Sequence, residues 1–272
     1  MSRLNATQSG QGPFLVMLHG LFGSADNFRA IASQLEEQFR VLRLDLPGHG
    51  QSPTQANLSI EAMADAVIVE LSERGITDYH LLGHSLGGKV AMCIAGRMTS
   101  QAIRSVCIVD IAPKAYPPHH ENIFTALSGI DLRTLTDRRS ADKQLLVGIP
   151  DPVIRAFVLK SLYRDATKAF QWRFDLPGLH RNYTHICQAP VMEKCIEQPA
   201  LFIKGGDSGY IESSDEAVIR PLFARPSLKI IAGAGHWPHA EKPALFARMC
   251  QTFVTDADAY LHENSSPKPL QS

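Results

Sequence analysis

Six short apolar runs, each closing within two residues on a Gly, Asp or His, set the strongest limit on how this chain can fold. They are residues 15–18 before His19-Gly20, 41–44 before Asp45, 79–82 before Gly83, 105–109 before Asp110, 200–203 before Gly205-Gly206, and 228–231 before Gly233-Ala234-Gly235-His236. Runs this short and this continuous read as buried parallel strands. The segments between them are long enough for crossover helices. Ile31, Leu35 and Phe39 keep helical spacing, as do Ile60, Met63, Ala64, Val67, Ile68 and Leu71, with Ser59 placed as an N-cap. The expectation is an α/β fold, a mostly parallel central sheet flanked by helices, with functional loops at the carboxyl ends of the strands. The residues before Leu15 leave room for one strand, or two short ones, at an antiparallel edge.

The chain has 272 residues, which suits one large domain or one domain with an insertion. Hydrophobic residues make up 44% and charged residues 20%, enough for a sizeable core. The alternation of strand and helix breaks between Ala112 and Pro199. That stretch has no convincing β-branched run. It has helical patterns instead: Ile123-Phe124 with Leu127, Leu145-Leu146, and Val153, Phe157, Val158 and Leu162. Asp151-Pro152 has the form of a helix start, a cap and then a proline. The expected layout is a core of residues 1–112 and 199–261, a helical lid of residues 113–198 over the strand ends, and a disordered polar tail at 262–272.

Formal net charge is zero and no basic stripe exists, so nucleic acid is not an expected partner. Arg133, Arg138 and Arg139 sit among Asp131, Asp137 and Asp142 and read as a solvated helix face. No run approaches the roughly 20 apolar residues of a membrane span, and residues 1–12 carry no signal-peptide core. The cytoplasm is the expected compartment. The five cysteines are widely spaced without a C-x-x-C pair, so neither a zinc site nor a disulfide framework is expected.

Gly83-His84-Ser85-Leu86-Gly87 is a G-x-S-x-G pentapeptide set directly after an apolar run and before a helical pattern. A strand that ends in a small-residue turn and feeds a helix holds its central serine on a strained elbow, hydroxyl free above the sheet. The helix that starts at Leu86 aims N–H groups and partial positive charge at an oxyanion beside that hydroxyl. Ser85 is therefore the candidate nucleophile. A serine hydroxyl needs a base within reach, and His236 is the candidate, on a glycine-flanked loop after the last strand. His239 lacks the glycine context. His84 adjoins Ser85 but would point away from it at the elbow.

Two carboxylates compete to orient that histidine. Asp110 ends the strand after the elbow; Asp207 lies in the loop after the penultimate strand, one residue ahead of the usual G-x-x-D slot, which holds Ser208. Asp110 is preferred, because a carboxylate directly after an apolar strand is costly without a partner such as an imidazolium. Its bland alternative is a carboxylate that caps the loop at Ala112. The oxyanion hole should use the N–H of Leu86 and one from His19-Gly20-Leu21-Phe22-Gly23, that of Leu21. His19 reads as a brace for that loop. Trp172, Phe174 and Tyr183, with Phe22 and Trp237, are candidates to shape the substrate pocket. Lys89 lies four residues after Ser85, where a Ser-Lys dyad needs three, and reads as structural.

With these residues placed, the chain resembles the α/β-hydrolase superfamily and, within it, the YbfF-type bacterial acyl esterases. The matching stretches are His19-Gly20-Leu21-Phe22-Gly23-Ser24, Gly83-His84-Ser85-Leu86-Gly87-Gly88-Lys89, Asp110-Ile111-Ala112-Pro113, Trp172-Arg173-Phe174, Pro199-Ala200-Leu201-Phe202-Ile203 and Gly233-Ala234-Gly235-His236-Trp237. The resemblance implies a serine esterase with an α/β-hydrolase fold, acting on small-molecule esters or acyl-CoA thioesters through an acyl-enzyme, with no metal or organic cofactor. It also supports Asp110 as the acid. Asp45-Leu46-Pro47-Gly48-His49-Gly50 departs from the subfamily, which more often carries Arg-Asn before His-Gly. Two rivals stand beside this reading: a carbon–carbon bond hydrolase of ring-fission products that uses the same triad, and a non-catalytic binding protein on the same fold.

Overall fold

The computed structural model of the chain describes residues 3–98 and 102–265. Strands β1 (Ala6–Ser9), β2 (Phe14–Leu18), β3 (Arg40–Leu44), β4 (Tyr79–His84) and β5 (Ile103–Val109) come first; a hairpin β6 (Leu162–Arg164) and β7 (Phe170–Trp172) follows; β8 (Ala200–Gly205) and β9 (Pro226–Ile231) come last. Seven of them form one sheet in the order β1-β3-β2-β4-β5-β8-β9. Only β1 runs antiparallel, paired with β3 at the edge. The chain moves outward from β2 to β3, then returns to place β4 on the other side of β2. That reversal opens a crevice at the carboxyl ends of β2 and β4.

Each apolar run is a strand because alternate residues feed two cores. Leu15 and Met17 of β2 pack on one face of the sheet with Phe28, Leu82 and Phe246. Val16 and Leu18 pack on the other with Leu44, Met63 and Val90. The helix Ile60–Glu73 covers this second face and is capped by Ser59, whose Oγ accepts from the Ala62 N–H at 3.2 Å. The helix Arg29–Leu35 stops before Phe39, which is buried in the turn behind it.

Three expectations need correction. β9 is not buried: it is the sheet's last strand, and Leu228 and Ile230 are 51% and 55% exposed. The segment between β5 and β8 is not wholly helical. Its helices are joined by the β6–β7 hairpin, closed by Asp165, whose Oδ1 accepts from the N–H groups of Thr167 and Ala169. Strands of three residues without a Val, Ile or Thr carry no β-branched signature. The tail is not disordered from 262 onward: the final helix runs Pro243–Ser265, and residues 266–272 lie outside the described ones. No helix among the described residues is long and apolar enough to cross a membrane.

Candidate active site

Ser85 sits between β4 and the helix Leu86–Ala95 with φ 51° and ψ −115°. A non-glycine residue there costs about 1–3 kcal/mol and persists only where its surroundings force it. Two contacts do so. The Ser85 N–H donates to the Val109 carbonyl at 2.9 Å, tying the elbow to β5. Gly83 and Gly87 let chains pass so closely that a Cβ on Gly83 would strike the Gly87 carbonyl, and one on Gly87 the Leu18 carbonyl. The hydroxyl is left free of the helix.

Asp110 also has a left-handed backbone, φ 51°, which turns its side chain from the end of β5 under the loop after β9. It is fully buried. Its Oδ1 accepts from the Gly205 N–H at 3.0 Å; its Oδ2 accepts from the Ser208 hydroxyl and, at 2.7 Å, from His236 Nδ1–H. That bond fixes the tautomer: the hydrogen is on Nδ1, so Nε2 is a bare acceptor. Nε2 lies 3.0 Å from Ser85 Oγ. The Ala112 N–H, which Asp110 could have capped, is taken by Tyr116 Oη at 2.8 Å. Asp207 is exposed at the cavity edge, and among the described residues no hydrogen bond joins its carboxylate to His236.

The His236 loop is braced by groups that carry no sequence motif. Glu241 accepts from the Gly235 N–H at 2.9 Å and from the Trp237 N–H at 3.3 Å. His84 Nε2–H donates to the His236 carbonyl at 2.7 Å. Burial, with His239 and His236 beside it, holds the His84 pKa well below the usual histidine value. His84 is thus a neutral strut; the ring of His239 packs edge-on against it at 4.6 Å, and burial pushes the His239 pKa down to about 3. The Tyr210 ring stacks on the His236 ring at 3.8 Å and 17°.

The Leu21 and Leu86 amides have no acceptor among the described residues, and both residues line the hollow beside Ser85. The Leu21 loop is held by His19, whose Nε2 accepts from the Leu46 N–H at 3.0 Å, and by Ser161, whose Oγ donates to the Phe22 carbonyl at 2.7 Å. Phe22 itself takes φ 62°, a strain that the sequence did not signal. Among the described residues no group of three His, Cys, Asp or Glu side chains is arranged to hold a metal ion.

The candidate pocket residues divide. Phe22 and Trp237 line the main cavity over Ser85, and Tyr183 lines a smaller hollow beside it. Trp172 and Phe174 line neither. A bridge between His49 and Phe174 draws that segment toward residues 45–50, so Phe174 packs behind Phe22 at 5.2 Å and Trp172 stacks on Phe174. Lys89 is structural: its Nζ donates to the carbonyls of Ile186, Cys187 and Gln188 at 3.3, 3.0 and 2.6 Å.

Ser208 occupies the usual slot for an acid after the penultimate strand, and its hydroxyl donates to Asp110, the candidate acid. A hydrogen bond to a charged group contributes about 1.5–3 kcal/mol. Ser208→Ala is therefore expected to lower kcat on p-nitrophenyl butyrate about tenfold or more without changing KM by more than about twofold. An unchanged kcat would show that the Gly205 N–H alone orients Asp110.

Comparisons with known proteins place the chain in a family. Residues 15–249 match the alpha/beta hydrolase family. The chain is 32% identical to esterase YbfF of Escherichia coli, covering 89% of this chain and 93% of that one. It is 36% identical to the sn-1-specific diacylglycerol lipase ABHD11 of Xenopus tropicalis, covering 92% and 80%. The solved structure of a marine microorganism esterase superposes with a TM-score of 0.88 at 31% identity, covering 92% of this chain and 99% of that one. The strand order, the elbow on β4 and a match over most of the length converge: the chain belongs to the alpha/beta hydrolase family.

Proposed function

We propose that this protein is a serine carboxylesterase that cleaves esters of small to medium acyl chains through an acyl-enzyme. One observation carries the reading: an unbroken hydrogen-bond chain from Asp110 through His236 to Ser85, at 2.7 and 3.0 Å, ending on the hydroxyl of a residue whose backbone is held in a strained conformation. In the first half-reaction His236 Nε2 takes the Ser85 proton as Oγ attacks the acyl carbonyl. The Leu21 and Leu86 N–H groups hold the oxyanion, and Asp110 stabilises the imidazolium. His236 then gives its proton to the leaving alcohol. In the second half-reaction the same nitrogen takes a proton from water, which attacks the acyl-enzyme, and Ser85 regains its hydrogen as the acid leaves. A thioester would react through the same steps.

In this reading residues 113–198 form a lid. Ile123, Val153, Phe157 and Val158 from that segment line the cavity over Ser85, which favours an apolar substrate. The relatives named above, an esterase and a diacylglycerol lipase, point to the same bond. Treatment with a fluorophosphonate should add one phosphonyl group, and peptide mapping should place it on Ser85. Absence of that adduct from the folded protein would overturn the reading in favour of a non-catalytic member of the fold.

A further inference from the structure

Two hollows meet at Ser85, and only one of them contains the base. The large cavity, about 490 Å³, is lined by Ser85, His236 and Trp237. The small chamber, about 40 Å³, is lined by Ser85 and by both candidate oxyanion residues, Leu21 and Leu86, but not by His236. Leu21, Ser85, His119, His120 and Tyr210 border both, so the two spaces join across the nucleophile.

The chemistry assigns the two halves of an ester to these spaces. The leaving oxygen must come within hydrogen-bond reach of His236 Nε2 to receive its proton. The alcohol therefore departs through the cavity that His236 lines. With the carbonyl oxygen held at the Leu21 and Leu86 amides, the remaining substituent, the acyl chain, faces the small chamber.

The chamber is short and stiffly walled. A water-sized group needs about 10–15 Å³ of such space, so there is room for about three. Its partition is a closed hydrogen-bond set. Tyr183 Oη accepts from the His120 backbone N–H at 3.0 Å, which leaves its own hydrogen for His120 Nδ1 at 2.7 Å. Tyr210 Oη meets His119 Nε2 at 2.7 Å, and Tyr116 Oη donates to the Tyr210 carbonyl at 2.6 Å. Behind it the Lys89 ammonium has three hydrogens for three carbonyls, so it offers nothing further to a polar chain end. Ile111 and Ile186 complete an apolar lining. Lengthening the chamber on the tyrosine and histidine side would break this set, which leaves the two isoleucines as the walls that can be cut back.

We propose that the small chamber is the acyl site, so that the protein selects esters of apolar acyl groups of about two to four carbons carried on larger alcohols. This deepens the hydrolase reading above and rests on it.

The test is kcat/KM for p-nitrophenyl acetate, butyrate, hexanoate and octanoate, in the parent and in Ile186→Ala. Octanoate should fall at least about tenfold below butyrate in the parent, because extra methylenes overpack a rigid site. Ile186→Ala should raise the octanoate-to-butyrate ratio by about tenfold, and Ile111→Val, a milder opening, should move it the same way. A ratio within one protein does not depend on the fraction folded. Butyrates of ethanol, hexanol and decanol should hold level or rise with alcohol length, since their alcohols enter the larger, apolar-lined cavity. Octanoate equal to or faster than butyrate, or a ratio unmoved by both variants, would overturn the assignment. A fall of about tenfold or more along the alcohol series beside a flat acyl series would reverse it. If the folded parent turns over none of these esters, the hydrolase reading itself fails, and the acyl site fails with it.

Discussion

Replacing Ser85 with alanine should lower kcat on p-nitrophenyl butyrate by about five orders of magnitude or more. The size follows from the removal of the attacking atom: without Oγ no acyl-enzyme can form, and what remains is the acceleration that the oxyanion amides and binding give to direct attack by water. KM should change little, since the cavity walls, Phe22, Phe157 and Trp237 among them, are untouched. Folding should persist. The elbow is imposed by the Ser85 N–H bond to Val109 and by the close passage at Gly83 and Gly87, none of which involves the hydroxyl. Alanine must still adopt φ near 51°, so the backbone strain stays and the melting temperature should not rise appreciably. Stopped assays on protein purified separately from the parent, so that trace parent enzyme cannot set the floor, check the value. A residual rate within about a hundredfold of the parent would mean that another group attacks the ester.

How far the residues themselves announced this site varies with the kind of force that places them. Strands β2 to β5, β8 and β9 were legible because a strand in a parallel sheet must be apolar over a short span and must end where the chain turns, and Gly, Asp and His mark those ends. Ser85 and His236 were legible because their loops need glycine at fixed positions. The carboxylate that meets His236 was less so. Asp110 and Asp207 are equally acidic in sequence, and only the fold shows that one is buried under His236 while the other faces solvent. Glu241 and His84 left no signal, because they act by hydrogen-bonding backbone groups of the His236 loop, a role open to many side chains at many positions. Trp172 and Phe174 misled for the reverse reason. Large aromatic residues in an insertion suit a pocket wall and the packing behind it equally well, and the bridge at His49 decides the matter. The β6–β7 hairpin was hidden by its brevity, and the exposure of β9 by its place at the sheet's end, which is a property of topology rather than of any local run.

Asp110→Asn should lower kcat by about 10⁴-fold, whereas Asp207→Asn should change it by less than about threefold. The asparagine keeps the shape of the aspartate but replaces one acceptor oxygen with an NH₂ donor. Two orientations are open. If the amide oxygen faces His236, its NH₂ confronts the Gly205 N–H, donor against donor in a fully buried site. If the oxygen accepts from Gly205 instead, the NH₂ faces His236 Nδ1 and donates to it. The second arrangement satisfies more bonds and will be populated. It forces the imidazole hydrogen onto Nε2, the atom 3.0 Å from Ser85 Oγ, so the base presents an N–H where it must accept a proton. The defect lies in the tautomer, not in the fold, and the variant should keep the parent's KM and cooperative unfolding. Asp207 makes no such contact among the described residues, and its backbone N–H, which donates to the Ala234 carbonyl at 2.9 Å, is retained in asparagine. Paired kinetics of the two variants decide the matter. Mild losses in both would mean that some other carboxylate orients His236, and a collapse with Asp207→Asn alone would transfer the role to the loop after β8.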